Sequence, residues 1–140
     1  GGMFANCNQL TRIDVSNFDT GNVKRFNDMF KECVSLTALD LSSFRTSNAE
    51  EMSVMFIDCK NLKQIDVSSF DTSGVTDMSS MFRSCTSLET VDLSGFDTSN
   101  VNNFVMMFYG CGNLVSVGID GLYIREGADT TDMYTGTRWQ

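Results

Sequence analysis

Apolar residues recur in the same order along nearly the whole chain. Met3, Met29, Met55, Met81 and Met107 are 26 residues apart. Phe4, Phe30, Phe56, Phe82 and Phe108 keep that interval, as do Cys7, Cys33, Cys59, Cys85 and Cys111, and Leu10, Leu36, Leu62, Leu88 and Leu114. A fixed period of this length is the mark of a repeat array, in which each unit completes its neighbour's core.

Within one unit the pattern predicts two elements. Val75, Met78, Met81, Phe82, Cys85 and Leu88 step by three and four, the spacing of one apolar helix face. Ser73 or Gly74 would start this short helix, and Ser47 with Glu50 reads as a capping box in the preceding unit. Such a helix is marginal alone and needs tertiary contacts. After Leu88 the period changes: Val91 and Leu93 alternate with Thr90 and Asp92, as in a short strand buried on one face. The other copies are Leu10-Ile13-Val15, Leu36-Leu39-Leu41 and Leu62-Ile65-Val67. Phe18, Phe44, Phe70 and Phe96 follow, each ahead of an Asp-Thr or Arg-Thr pair suited to turns.

The expected architecture is an α/β solenoid: a curved leucine-rich-repeat stack of about five strand-turn-helix coils with a parallel sheet on one face. Gly1 and Gly2 read as a non-native remnant, residues 3–124 as the solenoid and part of a longer array, and residues 125–140 as a divergent C-terminal cap or tail.

Composition narrows the function. The 140 residues carry a formal charge of −8 and no histidine. An acidic chain is a poor general partner for nucleic acid or anionic membrane. No apolar stretch reaches the ~20 residues that span a bilayer, so no direct membrane insertion is expected. The cysteines follow the apolar pattern and read as buried thiols. Disulfides between neighbouring units and a metal site are the other readings; the spacing lacks a zinc-type cluster.

Alternation on the strand points one set of side chains outward. Its first row is Arg12, Ala38, Gln64, Thr90 and Ser116; its second is Asp14, Asp40, Asp66 and Asp92, ending at Gly118; its third is Ser16, Ser42, Ser68 and Ser94, ending at Asp120. Arg12, Asp14, Asp40, Gln64, Asp66, Thr90 and Asp92 are therefore the candidate binding residues on the sheet face. The aspartates admit three readings: solvated groups bonded to neighbouring hydroxyls, an acidic strip for a basic or polar partner, or weak calcium ligands. The cysteine and phenylalanine ladders (Cys7, Cys33, Cys59, Cys85, Cys111; Phe30, Phe56, Phe82, Phe108) are assigned to structure. Lys31, Ile57, Arg83 and Tyr109 form a varied row on the helix side.

The unit spelled by Leu62, Ile65, Asp66, Val67, Ser68, Phe70, Asp71, Thr72, Ser73, Val75, Met78, Met81, Phe82 and Cys85 resembles the BspA-like leucine-rich repeats of the DUF285 type, found in bacterial and mycoplasmal surface proteins and lipoproteins. The match runs over roughly residues 3 to 117. The resemblance implies an extracellular or cell-surface protein, an adhesin or protein-binding scaffold. It carries no catalytic residues across.

Enzyme chemistry is not expected: there is no histidine base, no nucleophile motif with partners and no phosphate-cradling glycine loop. No cofactor is implied. The function expected is cell-surface adhesion or protein binding through the sheet face, with a structural spacer or stalk as the alternative. The partner would be an unidentified host or bacterial surface protein, or a glycan. End-to-end association through the N-terminal coil is also expected as a way to cover Met3, Phe4 and Leu10.

Overall fold

A computed structural model describes residues 2–118 and 122–139. Gly1, half of the expected remnant, and Asp120, the expected end of the serine row, lie outside the described residues.

Regular structure is sparse. Strand β1 (Ala38–Asp40) pairs in parallel with β2 (Gln64–Asp66), in the register Ala38 to Gln64, Leu39 to Ile65 and Asp40 to Asp66. A single bridge joins Thr90 to Ser116, and a second row of isolated parallel bridges runs Arg25, Glu51, Asp77, Asn103, Asp129. Among the described residues there is no helix.

These findings correct the expected fold. The α/β solenoid of strand-turn-helix coils is not formed: the helix is absent, and the parallel sheet is reduced to two strands of three residues among the described residues. The leucine-rich-repeat architecture implied by the BspA-like resemblance falls with it.

The reason lies in the backbone of the segment read as helical. In an α-helix every N–H donates to the carbonyl four residues back. Here the donors alternate. Ser80, Phe82 and Ser84 donate to Val105, Met107 and Tyr109, at 2.9, 2.9 and 2.8 Å. The N–H groups between them, on Met81, Arg83 and Cys85, close three-residue-back turns onto Met78, Ser80 and Phe82. Ser80 and Ser84 have φ of 53° and 60°, in the left-handed region that interrupts a right-handed helix. The same conformation recurs in two columns: Gly2, Asp28, Val54, Ser80, Met106 and Asp132, and Asn6, Glu32, Asp58, Ser84, Gly110 and Gly136. Apolar positions spaced by three and four thus arise from a run of tight turns, each aiming its apolar residue inward.

The turns bury a continuous apolar interior. Met55, Phe56, Cys59 and Leu62 are fully enclosed, as are Met81, Phe82, Cys85 and Leu88 one period later. Phenylalanine rings lie nearly parallel along one column: Phe30 to Phe56 at 5.8 Å, Phe56 to Phe82 at 5.2 Å and Phe82 to Phe108 at 5.6 Å. Tyr134 extends the column beyond Phe108 at 5.8 Å. A second column runs through Phe44, Phe70 and Phe96. Burying a side chain of this size is worth roughly 1.5–3 kcal/mol. That burial, together with hydrogen bonds between segments, holds a chain that is almost free of regular secondary structure.

Candidate functional site

The residues singled out on the strand side are exposed, and part of the set is brought together. Arg12, Asp14, Asp40, Gln64, Asp66, Thr90 and Asp92 are all solvent-exposed. Arg12, Asp40, Gln64 and Asp66 line an open depression together with Ile13, Ala38, Leu39 and Ile65.

The aspartates are engaged locally. Ser16, Ser42, Ser68 and Ser94 donate their backbone N–H to Oδ1 of Asp14, Asp40, Asp66 and Asp92, each at 2.9 Å. In each case the donor sits two residues beyond its acceptor, the form of an Asx turn. Hydrogen bonds from the serine hydroxyl and N–H hold the Asp14, Asp40 and Asp92 carboxyls below their ordinary value, because they favour the charged form. No cluster of three or more metal-ligating side chains occurs among the described residues. The bond common to the four carboxylates is therefore to a backbone N–H of their own turn, and at Asp66 the Ser68 hydroxyl adds a second at 2.6 Å.

The adhesion mechanism tied to a leucine-rich-repeat sheet face is corrected here. A recognition sheet needs strands that continue from unit to unit. Among the described residues only β1 and β2 pair over their length, while Thr90 and Ser116 meet at a single bridge. Among the described residues no continuous sheet carries the seven exposed residues.

The other repeated polar residues are committed inside the chain. Thr46 Oγ1 donates to the Asp71 carbonyl at 2.9 Å and accepts the Asp71 N–H at 2.8 Å. Thr20 does the same with Arg45. All four of Thr20, Thr46, Thr72 and Thr98 are buried. The sequence suggested a local turn role for both residues of the Asp-Thr pair. Only the aspartate stays local, as when Ser73 N–H donates to Asp71 Oδ1, whereas the threonine reaches the next segment. Asparagine amides bridge backward: Asn48 to the Gly21 carbonyl, Asn61 to Val34, Asn100 to Ser73 and Asn113 to Thr86.

The cysteines are unpaired thiols, buried at Cys33, Cys59, Cys85 and Cys111 and half-exposed at Cys7. Each buried Sγ donates to a phenylalanine carbonyl 29 residues back: Cys33 to Phe4, Cys59 to Phe30, Cys85 to Phe56 and Cys111 to Phe82. Loss of hydration on burial pushes the Cys59 and Cys111 thiols up to about 12, and raises Cys33 and Cys85 as well. Such thiols are poor nucleophiles, since the thiolate is the reactive form. Lys31, Ile57, Arg83 and Tyr109 are half-exposed, and the Arg83 guanidinium lies 5.4 Å from the Tyr109 ring centre.

Sequence reasoning missed the two left-handed columns, the backward asparagine bridges and the thiol-to-carbonyl bonds. The columns had a signal. Aspartate, asparagine or glycine fills more than half of their positions, and these are the residues that tolerate positive φ.

Among the described residues no helix is long and apolar enough to cross a membrane. Neither the curated proteins nor the solved structures contain a match to the chain. A family model described as "Mycoplasma protein of unknown function, DUF285" matches residues 1–65 and again residues 36–138. That description gives the family a bacterial setting. The two matched stretches overlap and together run over nearly all of the 140 residues, and the chain belongs to the DUF285 family.

Proposed function

We propose that this chain is a non-catalytic structural spacer: a stiff rod of repeated segments that sets a distance, and whose repeated residues serve the rod itself. The observation that carries this reading is where the recurring polar groups spend their hydrogen bonds. Thr46, Cys85, Asn100 and Asp71 recur as types along the chain, and each is bonded to backbone within it. A catalytic or ligand-binding group needs free valences and an environment unlike that of its neighbours. Residues repeated in equivalent surroundings, with their bonding already directed inward, suit construction.

The bacterial setting of the family supports placement at the cell surface, where a rod can hold other material away from a membrane. The net charge of −8 suits such a place, since it favours solubility and disfavours contact with nucleic acid and anionic lipid.

The experiment is to lengthen the rod. Reporter pairs are placed at Ser16 and Ser94, both exposed, and a second copy of residues 55–80 is inserted after Ser80. The reading expects the reporter distance to grow by about 4.8 Å, one strand spacing, with the fold retained. An unchanged distance in a folded protein contradicts it. So does turnover of a glycan or peptide by the purified chain. Protease shaving of intact cells tests the location: an inaccessible chain places it inside.

A further inference from the structure

Residues that depart from the repeat gather on one side of the alternating turns. In one segment the outer places of these turns hold Asn27, Asp28 and Lys31, and in the last they hold Thr131, Asp132 and Thr135. Two segments between them carry apolar residues there. Val54 and Ile57 stand in the places of Asp28 and Lys31, and Val105, Met106 and Tyr109 in those of Asn27, Asp28 and Lys31. All five are half-exposed. Backbone bonds keep the segments aligned here: the Glu32 N–H donates to the Ile57 carbonyl, Asp58 to Arg83 and Ser84 to Tyr109.

The segment between the two apolar ones supplies a charge without its partners. Lys31 lies 3.9 Å from Asp28 and 3.8 Å from Glu32. Arg83 holds the lysine's place two segments on, but Ser80 and Ser84 hold the places of the two acids. Among the described residues Arg83 forms no ion pair. Its guanidinium rests 5.4 Å from the Tyr109 ring centre. The chain as a whole carries a charge of −8, so a cation whose local carboxylates are replaced by hydroxyls stands out.

Backbone conformation points to the same segments. Val54 and Met106 have φ of 52° and 56°, a region that a branched or bulky side chain occupies at a cost. Asp28 and Asp132 fill the same column with a residue that tolerates it. Neither Val54 nor Met106 is enclosed by the core. Both are apolar residues kept on the outside of a turn against the local preference.

We propose that the face formed by Val54, Ile57, Arg83, Val105, Met106 and Tyr109 is a docking surface for a peptide segment of another protein, one that carries a carboxylate between apolar side chains. The carboxylate pairs with Arg83, replacing the acids that Lys31 finds in its own segment. The apolar side chains cover Val54 and Ile57 on one side and Met106 and Tyr109 on the other. These pairs are two segments apart, about 10 Å at the spacing of paired strands, which about three residues of extended chain span. Asp28, Lys31 and Glu32 bound the face at one end and Asp132 at the other, as a polar rim. The net charge disfavours an anionic lipid as the occupant. The proposal is independent of the spacer reading, which concerns the residues that repeat.

The test pans a phage-displayed library of random heptapeptides against the 140-residue chain and against a Val54→Asp, Met106→Asp, Tyr109→Thr variant, whose new residues already stand elsewhere in the same columns. The expected result is enrichment, on the unaltered chain alone, of peptides with Asp or Glu between apolar residues. The variant should unfold no earlier than the parent, since its left-handed positions are relieved. In fluorescence anisotropy the most enriched peptide should bind Arg83→Gln at least about tenfold more weakly, and lose as much when its own acid becomes the amide. Arg83→Gln removes a half-exposed charge and decides the matter even where the triple variant fails to fold. Enrichment without an acid-bearing motif, equal binding to the folded triple variant, or equal affinity for Arg83→Gln overturns the proposal. Binding to phosphatidylglycerol vesicles in place of peptides, or dimers in sedimentation that the variant abolishes, assigns the face to a membrane or to a second copy and overturns it too.

Discussion

Interior and N-terminal edge are built from the same residues and differ only in having a neighbour. Phe44 and Phe18 hold the same place in the 26-residue interval, as do Cys85 and Cys7. Yet Phe44 and Cys85 are buried, while Phe18 and Cys7 are not. The residue types are held constant, so the contrast isolates what stacking contributes: burial and a second hydrogen-bond partner. For these equivalent positions, a residue's environment depends on whether a neighbouring segment covers it.

The largest consequence is on the alkaline side. The buried thiols of Cys33, Cys59, Cys85 and Cys111 are raised in the folded chain, the second and fourth to about 12. In the unfolded chain a thiol ionises near 8.5. Above that pH the unfolded state binds fewer protons than the folded state, so stability is full below about pH 8.5 and falls as pH rises toward 12. Each buried thiol contributes a slope of roughly 1 kcal/mol per pH unit. Denaturant titrations between pH 8 and 11 should show a steep loss of stability, made shallower in Cys85→Ser. A flat profile would mean that the thiols reach water.

Core truncation comes next. Phe82→Ala leaves a hole between Phe56 and Phe108 and should cost about 3–5 kcal/mol. Phe18→Ala removes a ring already 42% exposed and should cost about 1 kcal/mol or less. Similar losses in chemical denaturation would erase the distinction between interior and edge.

Thr46→Val keeps the shape but leaves the Asp71 N–H and carbonyl without their shared hydroxyl, for a loss of about 1–3 kcal/mol. The exposed Thr76→Val should change the unfolding midpoint little, because its hydroxyl contact of 3.4 Å is long and solvated. Smallest is a gain. Val54 is β-branched yet sits at φ 52°, where Asp28 and Ser80 stand in neighbouring segments. Val54→Gly should relieve strain and raise stability by up to about 1 kcal/mol, read as a higher thermal midpoint. A fall would show that Val54 contributes more by packing than it loses in backbone strain.

The 26-residue interval and the inward rows are visible in the sequence because identical residues repeat there, and the structure buries Phe30, Phe56, Phe82 and Phe108. The local conformation was not legible. Met78, Met81, Phe82 and Cys85 are spaced as on a helix face, and a run of alternating turns gives the same spacing. The discriminating residues lie between the apolar positions: Asp28 and Ser80 in one column, Asp58, Ser84 and Gly110 in the other. The strand pattern Leu-x-x-Leu-x-Leu also promised more than forms, since pairing extends over three residues only at Ala38–Asp40 and Gln64–Asp66. On the exposed strip, the outward placement of Asp14, Asp40, Asp66 and Asp92 could be read from alternation. The turn bond that each makes two residues on is a local geometry that composition does not display.

One measurement bears most directly on the alternation of donors that replaces the helix. Scalar coupling across hydrogen bonds in the labelled protein identifies the carbonyl that accepts each amide. The expected result links the Phe82 N–H to the Met107 carbonyl and the Met81 N–H to that of Met78, with Ser84 reaching Tyr109. Couplings from Phe82 and Ser84 to the carbonyls four residues back would establish a helix and contradict the fold described.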